Sequence, residues 1–369
     1  MILNLDDRNL KLCNGLLAAK EINMSSAEFY IEYLTEYPLS ITKKDIEKIS
    51  KNHSIQESFF IALKNKMEID DFDDEFNEMN DQCNIKNIQK LSTKKYINNP
   101  FYKNIPTTNA KLGKWQLTKL KYHPYEGFVY DELDIHPERN YGEHTPLGFF
   151  EEEFPYLAII EGDEIWMSVI PHEINTMDKP IKSAYGKVLV LGLGIGYYAY
   201  MVSNKDDVDE VTILESDETA IKLFNEWIYP HFENKEKIHI IKTDAFDYLE
   251  NNDISKYDYC FSDIWHNAGD GISLYLKIKK YENKFQCTYF DYWIETSLLA
   301  MLRRYILTIY EEQLDGLTDE DYQKAIDEND RIINKLYYHL KDVEINSYED
   351  MINLLSDDSL KRIARELEY

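Results

Sequence analysis

Cysteine is scarce in this 369-residue chain, with four in all. Cys13, Cys83, Cys260 and Cys287 stand far apart, with no CxxC pair and no Cys/His ligand spacing. That excludes a disulfide framework and a zinc centre as organising features, and no metal is expected. Reduced thiols point to a reducing compartment. Basic residues are short as well: 41 Lys and Arg face 68 Asp and Glu, for a net charge of −27. Nucleic-acid backbones are held by clustered cations, so no nucleic-acid partner is expected, and a field of this sign attracts cationic small molecules instead. Long apolar runs are missing too. The longest uncharged stretch, Val188 to Asn204, holds three glycines and three tyrosines. It falls short of the ~20 apolar residues that a membrane span needs. The opening Met1-Ile-Leu-Asn-Leu-Asp-Asp-Arg lacks the basic and apolar regions of a signal peptide. A cytoplasmic protein without a membrane partner is the expectation.

What is present suits a globular chain of roughly two or three domains. Residues 1–104 read as helices. Apolar positions recur three and four apart over Ser26–Leu34, and Thr42 is an N-cap with Asp45 at N3. The run Glu68–Glu78 carries seven carboxylates and no base. Without the glycine and ligand spacing of an EF-hand loop, it reads as solvated acidic surface. Residues 105–180 are richer in proline, glycine and aromatics, and Phe154–Ile160 with Ile165–Ile170 predicts a β-hairpin around Gly162.

Residues 181–290 alternate between strand and helix. Val188–Leu191, Val211–Leu214, Ile238–Ile241 and Tyr257–Phe261 are short apolar runs about 20 to 27 residues apart, with Glu218–Tyr229 a clear helix between two of them. A fifth strand is expected at Lys284–Phe290. This alternation implies right-handed βαβ units and a parallel sheet. Residues 291–369 read as helices over Tyr292–Glu312, Asp319–Leu340, Ser347–Leu355 and Ser359–Glu368, with Ser347 and Ser359 as N-caps. The expected fold is therefore α/β, flanked by an N-terminal helical plus β-hairpin region and a C-terminal helical extension.

The strongest chemical signal is Lys187-Val-Leu-Val-Leu-Gly192-Leu-Gly194-Ile-Gly196. An apolar strand runs into three alternate glycines and then a helix. Glycine permits a tight turn and close approach of a ligand, and the helix start offers backbone N–H groups. Glu215, nineteen residues past Gly196, closes the next strand, where a carboxylate can accept from both hydroxyls of a ribose. Asp244 follows the third strand and Asp263 the fourth. Ligands of open α/β sheets bind beyond the carboxyl ends of the strands, so these acids converge with the glycines on a nucleoside site. Tyr197 stands where the third glycine of G-x-G-x-x-G would fall, leaving a dinucleotide fingerprint incomplete.

Over about residues 187–265 this pattern resembles the class I S-adenosylmethionine-dependent methyltransferases, which have a Rossmann-like sheet. The resemblance implies S-adenosylmethionine as cofactor, with Gly192, Gly194 and Gly196 along its methionyl and ribose parts. It places Glu215 on the ribose and Asp244 on the adenine amino group, with Asp263 beyond them. The preceding segment, Trp166 to Met177 with His172 and Glu173, looks like the same region of the polyamine aminopropyltransferases, the spermidine synthase branch. In that family the fourth strand ends in Asp-x-x-Asp-Pro, whose acids orient and deprotonate the amine. Asp263 matches the first acid, while His266 and Asn267 stand at the second acid and the proline. A looser likeness joins Asp263-Ile-Trp265 to catechol-type O-methyltransferases, but the Asp-Asn pair that helps hold their magnesium has no counterpart near Cys287–Asp291.

These likenesses imply methyl transfer to a small molecule, with aminopropyl transfer and a catalytically silent binding or scaffold module as alternatives. Asp263 would orient a small-molecule acceptor of cationic character. His266 would take its proton, since imidazole is the side chain that exchanges protons near neutral pH. The methyltransferase sheet normally closes with a β-hairpin that walls the acceptor pocket. Here helical sequence follows the fifth strand, so that wall must come from elsewhere or be absent.

Overall fold

The computed structural model describes residues 1–70, 73–106 and 108–369. Residues 71 and 72 of the acidic run lie outside the described residues. Five strands form the central sheet: β1 (Gly186–Leu191), β2 (Val208–Glu215), β3 (Ile238–Lys242), β4 (Tyr259–Ser262) and β5 (Tyr289–Tyr292). All pairs are parallel, in the order β3-β2-β1-β4-β5. Val188–Leu191 is buried throughout, as a strand covered on both faces requires. Register sets Leu191 beside Leu214 and Ser262, so the carboxyl ends of three strands finish level. The order reverses at β1, which opens a crevice beyond its end.

Helices Tyr197–Ser203, Glu218–Leu223, Ala245–Asn251 and Ala268–Lys284 make the crossovers. Three begin at a side-chain cap placed just past a strand: Asp217, Asp244 and Asn267. Capping residues and strand ends thus coincide at the crevice. The segment Glu218–Tyr229 is α-helical only to Leu223, then π-helical over Phe224–Ile228, and Pro230 lies in the tight turn that ends it.

An antiparallel sheet from the N-terminal part stands beside the crevice, in the order Glu164–Ser168, Phe154–Glu161, Trp115–Tyr122, Ala110–Leu112. Its first two strands form the expected hairpin around Gly162, whose φ of +63° suits the turn. Trp115 ties this sheet to the central one: its Nε1 donates to Asp217 Oδ2 at 3.2 Å, and its ring packs 4.1 Å from that of Trp166.

The C-terminal extension is woven into the rest. Ile2–Leu3 pairs in parallel with Glu344–Ile345, and Lys20 of helix Asp7–Ala27 bonds Glu311 of helix Glu295–Leu314 at 2.7 Å. Buried Lys279 sits between Glu282 (2.5 Å) and Glu295 (3.4 Å), and the same acids bind Arg365 and Lys361 of the last helix, Asp357–Glu366. A buried cation is tolerable only when paired in this way.

Several local boundaries differ from the sequence expectation. The fifth strand lies at Tyr289–Tyr292 because helix Ala268–Lys284 continues through Lys284, and the long helix that follows begins at Glu295. Ser356, not Ser359, caps the last helix, accepting from the Ser359 N–H. Asp319–Leu340 is broken into a 3₁₀ turn at Asp321–Gln323 and a helix over Glu328–Leu340 that Asp327 caps afresh. The Thr42–Asp45 capping box and the Ser347 cap form as expected. Among the described residues no helix is long and apolar enough to cross a membrane.

Candidate functional site

A cavity of about 530 Å³ opens beyond the carboxyl ends of β1 to β4. Its floor is the glycine loop. Gly192 (φ +96°) lies so close to the Asp263 carbonyl that any side chain there would overlap it. Gly196 (φ +82°) packs just as tightly on the Phe224 ring. Gly192 and Gly194 line the cavity, whereas Gly196 serves the packing behind it.

Glu215 ends β2 with its carboxylate buried and gripped twice. Oε2 accepts from the Leu193 N–H at 3.2 Å, and Oε1 accepts from the Asp217 N–H at 2.8 Å. Each oxygen keeps a second lone pair. Asp244 lines the cavity beside Ser216, Thr243, Ala245 and Phe246, while its Oδ1 caps the next helix through the N–H groups of Phe246 (2.8 Å) and Asp247 (3.0 Å).

Asp263 follows β4, its N–H donating to Leu191 O at 2.9 Å. Asp263 is half-buried and lines the cavity. Nothing among the described residues hydrogen-bonds to its carboxylate. Burial, and then the charge of Glu173, push that carboxyl well above the ordinary carboxylate range.

His266 stands at the rim, its side chain 56% exposed. Its carboxylate neighbour is Asp270: Nδ1 lies 3.0 Å from Asp270 Oδ2. Asp270 also accepts from the backbone N–H groups of His266 and Asn267. Burial works to raise the Asp270 carboxyl, but the bonds from His266 and Asn267 outweigh it and hold the group below its usual range. In the neutral tautomer that donates Nδ1–H to Asp270, Nε2 carries the lone pair, an arrangement that orients a base. The Trp166 ring lies edge-on to the imidazole at 6.2 Å.

The remaining walls escaped sequence reasoning. Trp166 and Met167 of the hairpin, Glu173 and Met177 from the helical turn after it, and Trp293 just past β5 all face the same cavity. They wall the cavity from outside the parallel sheet. Glu173 was visible beside His172 in the aminopropyltransferase-like segment, but only the fold carries it to Asp263. His172 itself packs edge-on against Trp293 at 6.0 Å, with Nδ1 3.9 Å from Glu173 Oε1. The acidic and basic side chains lining the cavity are thus Glu173, Glu215, Asp244, Asp263 and His266. Among the described residues no group of three or more His, Cys, Asp or Glu is placed to hold a metal ion.

No family model matches the sequence, and no curated protein matches it either. Solved structures similar to it include a spermidine synthase from Thermotoga maritima, at 14% identity and a TM-score of 0.24, covering 33% of this chain and 48% of that one. Another is a spermidine synthase in complex with the transition state analogue AdoDATO, at 15% identity and a TM-score of 0.24, covering 33% and 47%. The chain spans about half the length of these enzymes. At these values the likeness says nothing of chemistry, which rests on the side chains.

Proposed function

We propose that the chain is a transferase that binds a sulfonium nucleoside of the S-adenosylmethionine type and passes an alkyl group from it to an amine. The observation that carries this reading is the lining of one cavity by four carboxylates and a histidine. Its volume lies within the range of small-molecule sites. S-adenosylmethionine carries a carboxylate, which this lining disfavours. Its decarboxylated form carries only positive charge, so aminopropyl transfer is the preferred reaction over the methyl transfer expected from the glycine motif.

The remaining lone pairs of Glu215 suit a ribose, Asp244 suits an amino group of the base, and Ala245 with Phe246 offers apolar surface to its ring. When bound, the donor supplies a carbon made electrophilic by the adjoining sulfonium, which leaves as a neutral thioether holding the electrons of the broken C–S bond. Asp263 anchors the acceptor ammonium. His266 Nε2 takes one of its protons, freeing the nitrogen lone pair to form the new N–C bond, and Asp270 keeps the ring turned for that task. Holding donor and acceptor side by side in one cavity would supply alignment, a large share of rate enhancement in such a displacement.

The test incubates the protein with labelled S-adenosylmethionine and, separately, its decarboxylated form over a panel of amines. Release of 5′-methylthioadenosine from the decarboxylated donor is the expected result. A methylated amine with S-adenosylhomocysteine would reassign the reaction to methyl transfer. Failure of calorimetry to detect any of these nucleosides would overturn the reading and leave a non-catalytic module.

A further inference from the structure

Trp115 is buried and does not line the cavity, yet it touches the supports of both ends of it. It begins the strand Trp115–Tyr122, directly after the two-residue turn Gly113-Lys114 that pairs Leu112 with Trp115. Gly113 (φ +60°) lays this turn against Thr219, whose methyl carbon is 3.5 Å from the place of a Cβ, and so brings the indole beside Asp217. A buried indole N–H needs an acceptor, and Nε1 donates to Asp217 Oδ2 at 3.2 Å. Asp217 Oδ1 accepts from the N–H groups of Thr219 (2.6 Å) and Ala220 (3.1 Å), and the Asp217 N–H holds Glu215 Oε1 at 2.8 Å. Burial works to raise the Asp217 carboxyl, but the bonds from Ala220, Thr219 and Trp115 hold it below its usual range. The acceptor is therefore an anion, and the bond from Trp115 is charge-assisted. Two hydrogen bonds thus lead from Trp115 to Glu215.

The Trp115 ring carries a second path. Lys114 Nζ stands 4.1 Å from its centroid and is held by Glu161 at 3.2 Å, and the Trp166 ring lies 4.1 Å away, centroid to centroid. Trp166 is left out of the strand pairing: Ile165 faces Ile160 and Met167 faces Ile159, so a bulge falls between them. A regular strand sends alternate side chains to opposite faces, whereas a bulge re-aims one. Here Ile165, Trp166 and Met167 all line the cavity, and Trp166 reaches the ring of His266.

We infer that Trp115 is a positioning residue for both ends of the cavity: through Asp217 its N–H sets Glu215, and through Trp166 its ring sets His266. This rests on the transfer reading above, which gives Glu215 the ribose and His266 the proton. It adds one buried side chain of the antiparallel sheet that keeps donor carboxylate and base in register across the crevice. Small displacements far from the chemistry cost rate, so such a tie has a kinetic consequence.

The test begins with the indole N–H signals of the full chain in NMR. There are five tryptophans, and the Trp115 signal is the one missing from Trp115→Phe. Saturating 5′-methylthioadenosine is expected to shift it without touching the residue, because the ribose engages Glu215 and Glu215 shares Asp217 with the indole. Trp115→Phe keeps a ring against Trp166 and drops the N–H, whereas Trp115→Leu drops both. Each should weaken 5′-methylthioadenosine roughly three- to ten-fold in calorimetry, the worth of one hydrogen bond. With decarboxylated S-adenosylmethionine and an amine, Trp115→Phe should act on donor KM far more than on kcat. Trp115→Leu should lower kcat as well, by roughly ten- to a hundred-fold. A Trp115 signal left in place by saturating nucleoside would overturn the role whether or not the variants fold, and so would equal kcat in the two folded variants. Wild type that binds no nucleoside defeats the transfer reading, and this role with it.

Discussion

The Leu193 N–H donates a 3.2 Å hydrogen bond to Glu215 Oε2, so the carboxylate proposed for a ribose also fastens the glycine loop. Because Oε1 is held by the Asp217 N–H at 2.8 Å, Glu215 links the end of β2 to the loop after β1 at the point where the sheet order reverses. Glu215→Ala removes the proposed ribose contact and leaves two N–H groups without their acceptor. The expected outcome is a roughly ten- to hundred-fold loss of nucleoside affinity together with a lower melting temperature. Titration calorimetry and a thermal melt of the same sample check the two effects. Unchanged affinity would leave Glu215 as a loop anchor only.

The glycines separate packing from access. A Cβ at Gly192 overlaps the Asp263 carbonyl, which is backbone and has little room to yield, whereas a Cβ at Gly194 meets only the flexible Met167 Sδ, at 3.4 Å. Both sit at positive φ, which costs a branched or methyl-bearing residue about 1 kcal/mol. Gly194→Ala should cost about that and no more. Gly192→Ala adds the overlap, for about 2–4 kcal/mol in total. Gly194→Val should extend into the cavity and lower nucleoside affinity in a protein that still folds. Urea melts of the three variants beside a nucleoside titration discriminate them, and equal destabilisation by the two alanines would contradict the geometry.

The surface charge carries its own expectation. A net charge of −27 predicts no useful affinity for DNA or RNA. Submicromolar binding to any duplex in a gel-shift experiment, weakening with salt, would refute it.

Much of this was legible in the sequence because β1, β2 and β4 carry buried apolar runs and the acids stand at or just past strand ends. Glu215 and Asp244 need only local order to reach the crevice. Trp166, Glu173 and Trp293 need tertiary structure, since no spacing relates them to the glycine loop. The fifth strand was misplaced for a physical reason. Tyr289–Tyr292 contains Asp291, a poor strand residue by propensity, which the Tyr259 hydroxyl satisfies with a 2.5 Å hydrogen bond from the neighbouring strand. Ser356 and Ser359 are both credible caps by type, and only the 3.4 Å bond between them decides which one starts the helix. The partner of His266 was missed because Asp270 lies four residues on, at a helix start that Asn267 defines.

That His266–Asp270 pair makes the sharpest kinetic prediction. General-base help is worth about 10²–10⁴-fold in rate, so His266→Ala should reduce turnover by that order with donor affinity nearly unchanged. Asp263→Asn should weaken both turnover and acceptor binding, because the anchoring charge is lost. Asp270→Asn should reduce turnover less than His266→Ala, since the imidazole remains but loses its orienting partner. Its stability effect has a defined sign. The Asp270 carboxyl is held below its usual range, so the stability it adds is fully present above the unfolded value, about pH 3.9, and is lost as pH falls through the lower folded value. Wild type should therefore exceed Asp270→Asn in urea melts at pH 7, and the gap should close in stronger acid. Turnover that is unchanged in His266→Ala, alongside a large loss in Asp263→Asn, would move the proton to Asp263 and leave His266 with Trp166 as part of the cavity rim.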